Sequence, residues 1–172
     1  MFDVVVIGAG IMGAAVSREL SKYELKILLL DKENDVSCGT TKANSAIVHA
    51  GYDAKEGSLM AKYNVLGNAM YEKLCEEVDA PFRKVGSYVL AFSEKEKEHL
   101  EMLYQRGVNN GVPEMEIIDA AEIQKREPHV SKEAVAALYA GTAGITGPWE
   151  LATKLIENAM ENGVELKINS EL

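Results

Sequence analysis

The chain has 172 residues, 47% of them apolar and 26% charged, the balance of an ordinary globular protein. Its formal net charge of −9 argues against nucleic acid or an anionic membrane as a partner. Two cysteines with no CxxC exclude a disulfide framework or a cysteine-based zinc site within the chain, and no apolar run approaches the roughly 18 residues of a membrane span.

The chain opens with Met1-Phe2-Asp3 and passes at once into Val4–Ile7, a β-branched run that predicts a parallel strand buried on both faces. No signal peptide precedes it, which reads as a cytoplasmic protein, with peripheral membrane attachment open to the full-length form. Gly8 ends the strand, and residues 11–21 predict a helix with Ala14, Ala15 and Leu20 among its apolar positions. Lys26–Leu30 predicts a second buried strand ending at Asp31. The result is a β-α-β unit with a right-handed crossover.

Ser58–Val78 predicts one long helix with an apolar stripe at Leu59, Tyr63, Leu66, Met70, Leu74 and Val78, broken by Pro81. Ser87–Phe92 predicts a strand. Ser93-x-x-Glu96 is a capping box that opens a charged helix burying Leu100, Leu103 and Tyr104 and ending near Gly107 or Gly111. A second box, Asp119-x-x-Glu122, starts a short helix stopped before Pro128. Ala134–Tyr139 predicts a strand. Pro148 suits the first turn of a helix that runs to about Asn162 with Leu151, Leu155, Ile156 and Ala159 inward. Gly163 caps it, and Val164–Ile168 predicts a last strand.

The first two strands and the last belong to one parallel sheet, interrupted by material of mixed character. The expected fold class is α/β: a Rossmann-like nucleotide-binding sheet with an inserted α+β substrate layer. The expected divisions are residues 1–79, 80–146 and 147–172. A strand so close to Leu172 expects further elements, so the chain reads as the N-terminal part of a longer protein.

Gly8-Ala9-Gly10-Ile11-Met12-Gly13 is GxGxxG set between a strand and a helix, the context a dinucleotide site requires. Gly8 allows the tight turn, Gly10 clears space for a pyrophosphate, and Gly13 lets helix and strand pack closely. The helix N-terminus turns its free N–H groups, those of Ile11 and Met12 among them, toward the phosphates. Asp31, at the end of the second strand, can hold a ribose hydroxyl and would repel the 2′-phosphate of NADP. The fingerprint leaves NAD and FAD both open.

A nicotinamide dehydrogenase would continue into the next helix and strand. This chain instead runs through Ser37-Cys38-Gly39-Thr40-Thr41-Lys42-Ala43-Asn44-Ser45. Small residues, hydroxyls and an amide suit a segment lying along a polar ligand, and on composition alone they suit an ordinary polar connection equally.

The fingerprint, Asp31, GTTKANSAIVHAGYD (residues 39–53) and KEGSLMAKYNV (residues 55–65) together resemble the D-amino-acid-oxidase-type FAD oxidoreductases. Asp119-Ala120-Ala121-Glu122-Ile123, Glu127-Pro128 and Gly147-Pro148-Trp149-Glu150-Leu151 follow the same family order, so the resemblance covers essentially the whole chain. It is similar above all to the glycerol-3-phosphate dehydrogenase and L-2-hydroxyglutarate oxidase branches. The resemblance implies FAD as cofactor, held by Gly8, Gly10, Ile11, Met12 and Gly13 on one side. Asp31, Lys32, Thr40, Thr41, Asn44 and Ser45 would complete the contacts, and the family places residues 46–51 close to the isoalloxazine ring.

Many glycerol-3-phosphate enzymes follow the histidine with a Gly-Gly-x-Arg-Tyr type run. This chain has His49-Ala50-Gly51-Tyr52-Asp53, which lacks the arginine and looks closer to the hydroxyglutarate branch.

Flavin oxidation of an alcohol needs the carbinol carbon near the reactive flavin nitrogen and a base at the hydroxyl. His49 is the candidate base, whereas His99 and His129 read as surface residues. An anionic substrate needs a cationic clamp. Arg83 and Lys84 are weak candidates, and Arg18, Arg106 and Arg126 read as solvated.

The leading expectation is FAD-dependent oxidation of a small anionic alcohol to the ketone, with glycerol 3-phosphate first and L-2-hydroxyglutarate as alternative. Electrons would pass to a quinone, oxygen or a partner protein, and the part carried here would be inactive alone. A nicotinamide-dependent dehydrogenase, or a nucleotide-binding module without turnover, are the other classes.

Overall fold

The structure is a computed structural model, and it describes residues 1–171. In chain order the elements are β1 (Val4–Ile7), α1 (Ile11–Leu20), β2 (Ile27–Leu30), β3 (Ile47–Val48), α2 (Leu59–Val78), β4 (Phe82–Lys84) and β5 (Ser87–Ala91). They continue as α3 (Glu94–Asn110), β6 (Met115–Asp119), α4 (Ala120–Arg126), β7 (Ala136–Ala140), β8 (Gly144–Thr146), α5 (Pro148–Glu161) and β9 (Glu165–Lys167). Two compact units result. One comprises Met1–Ala46, Lys73–Phe82 and Thr146–Leu172, the other Ile47–Glu72 and Arg83–Ile145. No helix among the described residues is long and apolar enough to cross a membrane.

The first unit is built on a parallel sheet in the order β1-β2-β9, with Val4 opposite Ile27 and Leu29 opposite Leu166. The central strand β2 is buried at all four residues, as its aliphatic run requires. β1 corrects the expectation of two buried faces. It lies at an edge of this sheet, and Val5 and Ile7 are 46% and 71% exposed, because nothing among the described residues covers that face.

α1 packs against α5. α5 buries Leu151, Ala152, Leu155, Ile156 and Ala159, which recur at helical spacing. Each of the larger three contributes about 1.5–3 kcal/mol of hydrophobic stabilisation. Small residues on α1, Ala14 and Ser17, are fully buried and permit the close approach. The end of α1 corrects another expectation: Arg18 is largely buried rather than solvated. Its Nε donates to Asn158 Oδ1 at 2.9 Å, and its second guanidinium nitrogen pairs with Glu77 at 2.9 Å.

The second unit centres on an antiparallel sheet in the order β5-β7-β6. Alternate residues of β7 divide its two faces. Ala136 and Leu138 pack with Ala91, Leu100 and Leu103 under α3, while Ala137 packs with Ile118, Ile123 and Ala134 under α4. Both N-caps form, without the reciprocal bond of a full capping box among the described residues. Ser93 Oγ accepts from Glu96 N at 3.4 Å and Asp119 Oδ1 from Glu122 N at 2.9 Å. The Glu96 carboxylate accepts from Phe92 N at 2.6 Å, one residue before the cap itself. α3 stops where Gly111 takes φ +81°.

β3, β4 and β8 form a small second sheet in the order β3-β8-β4, with Ile47 opposite Ile145. This pairing draws residues 47–72 into the second unit, where Ala50 packs with Val112, Ala140 and Ala143. The sequence division at residue 79 therefore differs from the division by contacts. The stripe of α2 holds only at its end: Val78 is buried as expected and Leu74 is half-buried, but Leu59, Tyr63, Leu66 and Met70 are exposed, and the helix buries Ala61 and Cys75 beside Val78. The helical period locates an apolar face, but the period carries no information on what covers it.

Candidate dinucleotide site

The C-terminal ends of β1 and β2 and the N-terminus of α1 surround a cavity of about 980 Å³. Gly8 holds φ +102°, and its N–H donates to Leu30 O at 2.7 Å, so the turn is bonded to the neighbouring strand as it leaves the sheet. A Cβ on Gly13 would lie 1.8 Å from Gly8 O, so helix and strand meet too closely for any side chain there. A Cβ on Gly10 would lie 3.1 Å from Thr41 Oγ1.

The loop after β2 closes over the start of α1. Ser37, at φ +59°, donates its N–H to Ala9 O at 2.9 Å. Thr41 is buried, and its Oγ1 accepts from Ile11 N at 3.0 Å. Gly10 has no side chain to cap α1, and Thr41 supplies that oxygen from the loop. The threonine hydroxyl keeps its own proton free to donate.

Asp31 Oδ2 accepts from Ala9 N at 2.6 Å and Oδ1 from Glu33 N at 3.0 Å. Each carboxylate oxygen has a second lone pair for a further donor such as a ribose hydroxyl.

Of the residues expected at a cofactor, Gly8, Gly10, Ile11, Met12, Gly13, Asp31, Lys32, Thr40, Thr41 and Asn44 all line this one cavity. Asn44 is engaged within its own loop. Its Nδ2 donates to Thr40 O and Thr41 O at 3.2 and 2.8 Å, and its Oδ1 accepts from Ala46 N at 2.8 Å. Ser45 is exposed and outside the lining.

Ile7, Leu30, Glu33, Ser170 and Glu171 also line the cavity, and sequence reasoning misses them. Ser170 arrives because β9 runs parallel beside β2, and its N–H donates to Asp31 O at 2.9 Å. The signal available is the last predicted strand, since ligands of such sheets sit beyond the carboxyl ends of the strands.

His49 belongs to the second unit, at the end of β3. Its side chain is exposed and takes no partner among the described residues, while its carbonyl accepts from Asn68 Nδ2 at 3.2 Å. Arg83 is exposed. Lys84 is paired with Glu114 at 2.9 Å, and that carboxylate raises the lysine above its usual range. Arg106 donates to the backbone carbonyl of Asp53, and Arg126 is paired with Glu116 and Glu122 over the Tyr139 ring.

The sequence model described as FAD dependent oxidoreductase matches residues 3–172. The chain belongs to the FAD-dependent oxidoreductase family. It is 52% identical, over its full length, to a glycerol 3-phosphate dehydrogenase of Caloramator mitchellensis, covering 36% of that protein. Over 99% of its length it is 31% identical to human mitochondrial L-2-hydroxyglutarate dehydrogenase, covering 37% of it. The structure of dithionite-reduced L-alpha-glycerophosphate oxidase from Mycoplasma pneumoniae with FAD bound matches with a TM-score of 0.91 at 34% identity, across 99% of this chain and 45% of that one. The chain thus spans less than half the length of these relatives.

FAD is the cofactor of this family, and the cavity of the flavoprotein chain fits its adenosine diphosphate half: glycine where a pyrophosphate must approach, helix N–H groups beside it, and an acceptor at the strand end.

Proposed function

We propose that the full-length protein is an FAD-dependent enzyme that oxidises the secondary alcohol of glycerol 3-phosphate to the ketone. The observation that carries this reading is the 52% identity to a glycerol 3-phosphate dehydrogenase, which extends over every residue of the chain. Bound FAD would supply the hydride acceptor.

The residues of this chain divide the remaining work. Gly8, Gly10 and Gly13 let the pyrophosphate approach, and the N–H of Met12 faces it at the positive end of α1, whereas the N–H of Ile11, expected to do the same, is taken by Thr41 Oγ1. The Thr40 and Thr41 hydroxyls donate to phosphate or ribityl oxygens, Asp31 accepts from a ribose hydroxyl, and Lys32 adds charge at the cavity mouth. Asn44 fixes the threonine loop through its three hydrogen bonds, and Ser45 extends that loop. His49 takes the hydroxyl proton of the substrate at its free imidazole. Lys84 and Arg126 are already paired with carboxylates, so the cation that would bind the substrate anion is Arg83 or a residue of the remainder of the full-length protein. Electrons then pass to a quinone, oxygen or a partner protein, in the cytoplasm or at the membrane surface.

A second reading is oxidation of L-2-hydroxyglutarate. The His49-Ala50-Gly51-Tyr52-Asp53 run, without an arginine, and the 31% identity to the human dehydrogenase favour it.

Anaerobic mixing of the yellow full-length protein with each alcohol separates the two. Bleaching of the flavin by glycerol 3-phosphate but not by L-2-hydroxyglutarate supports the first reading, and the reverse result replaces it with the second. If neither bleaches the flavin, both readings fail.

A further inference from the structure

Segment 49–54 follows β3 and is held by side chains rather than by a strand ladder. Asn68 of α2 donates from Nδ2 to His49 O at 3.2 Å and to Thr142 O at 2.9 Å. Asn110 of α3 donates to Gly51 O at 3.0 Å and Ala54 O at 2.8 Å, and Arg106 of the same helix to Asp53 O at 3.1 Å. Four carbonyls of six consecutive residues are thus taken by three side chains from two helices. Packing reinforces the bonds: Ala50 and Ala54 are buried, and a Cβ on Gly51, at φ +110°, would lie 3.1 Å from Val65 Cγ2 of α2.

The His49 imidazole, by contrast, has no partner among the described residues that fixes it. Its direction follows from its own backbone, whose carbonyl is held by the bond from Asn68 between Val48, paired with Gly144, and buried Ala50. The same carboxamide reaches Thr142 in the turn between β7 and β8, which ties the end of β3 to that turn. We infer that Asn68 is a positioning residue for His49, orienting it through its backbone carbonyl. This rests on the reading above in which His49 takes the substrate proton. A misplacement of about 1 Å in a reacting group costs on the order of a hundredfold in rate. Loss of one such bond therefore shows in turnover before it shows in folding, because Asn110 and Arg106 still hold the rest of the segment.

The test uses the full-length FAD-loaded protein and rapid anaerobic flavin reduction by whichever alcohol bleaches it. The variants are Asn68→Ala, His49→Gln and the double variant. The expected result for Asn68→Ala is a limiting reduction rate lowered at least about tenfold, with half-saturating substrate concentration, FAD content and flavin spectrum unchanged. When His49→Gln is already present, the same substitution has no further effect. An equal factor with and without His49→Gln, an unchanged rate, or a loss seen only as lower thermal stability or FAD content overturns the inference. A His49→Gln variant that reduces at the normal rate removes the His49 reading and the positioning role together, whereas a slow His49→Gln variant with additive Asn68→Ala removes the positioning role alone. If Asn68→Ala does not fold, Asn68→Leu, of similar size and neutral but lacking the N–H donor, takes its place with the same outcomes.

Discussion

The Thr41 hydroxyl oxygen accepts the amide proton of Ile11 at 3.0 Å across thirty residues of sequence. The helix that faces the dinucleotide is therefore capped by the loop that also lines the cavity, and loop order and helix order become one property. Thr41→Val keeps the shape and removes the acceptor. The expected cost is about 1 kcal/mol in apoprotein stability, typical of a lost cap. FAD should bind about tenfold more weakly, the equivalent of about 1.4 kcal/mol, and Thr41→Ser should restore both. Urea unfolding of the apo form and FAD fluorescence titration measure the two effects separately.

Gly13 and Gly10 should respond differently to alanine. At Gly13 the new methyl meets the Gly8 carbonyl oxygen at 1.8 Å, a backbone atom that cannot move without displacing strand or helix. The expected loss is about 3 kcal/mol or more, toward the severe end of overpacking, with FAD lost as well. At Gly10 the contact is 3.1 Å to Thr41 Oγ1, which need give way by only a few tenths of an ångström and can keep its bond to Ile11 N. That substitution should spare folding and weaken FAD binding. Denaturant unfolding beside flavin content gives the answer, and equal destabilisation of both variants would falsify this account.

The Arg18–Glu77 pair gives a pH dependence of definite sign. The hydrogen bond from Arg18 holds the Glu77 carboxyl below its usual range, helped by the nearby charges of Arg18, Lys73 and Lys22. A depressed folded-state value means the contribution is present above the unfolded value of about 4.3 and disappears as pH falls through the folded value. Glu77→Gln should therefore lower Tm at neutral pH and leave it unchanged in acid well below the folded value, where the wild-type carboxyl is itself protonated. Glu77 is substantially exposed, so the difference at neutral pH is small, about a degree or two. A Tm difference that persists undiminished in acid would show that the charge is not its source.

The two thiols report on different parts of the first unit. Cys38 is half-buried and lines the cavity, whereas Cys75 is buried, which pushes its thiol up against a smaller opposing pull from its hydrogen bond with Thr146. Less thiolate and less access both slow alkylation. Cys38 should label first with iodoacetamide, and FAD should protect it, while Cys75 should label only in denaturant. Peptide mass spectrometry after timed labelling distinguishes the sites. Equal rates at Cys38 with and without FAD would separate this cavity from cofactor binding.

Local signals in the sequence are legible wherever a few residues settle the geometry. Ser93 with Glu96 and Asp119 with Glu122 each specify a helix start through bonds made within one turn, and Pro148 and Gly163 bracket α5 for equally local reasons. The glycines at 8, 10 and 13 name the cavity because their spacing reflects a steric requirement. The short strands β3, β4, β6 and β8 are not legible in the same way. Two or three residues such as Phe82-Arg83-Lys84 carry no alternation, and their pairing depends on partners distant in sequence. Met115–Asp119 is long enough, but it pairs with a strand that comes later in the chain. Ser170 and Glu171 reach the cavity through the register of β9 on β2, which is a tertiary fact.

The exposed side of β1 bears on how this chain behaves in a test tube. An edge strand carrying Val5 and Ile7 toward solvent offers unpaired backbone groups and an apolar surface to any similar strand nearby. Concentrated solutions of the 172-residue chain by itself should self-associate through this edge, with scattering that rises with protein concentration. Val5→Lys, a charge at the middle of the edge, should suppress that association while leaving the glycine turn at the strand's end intact, and so yield a soluble form for work on the isolated cavity.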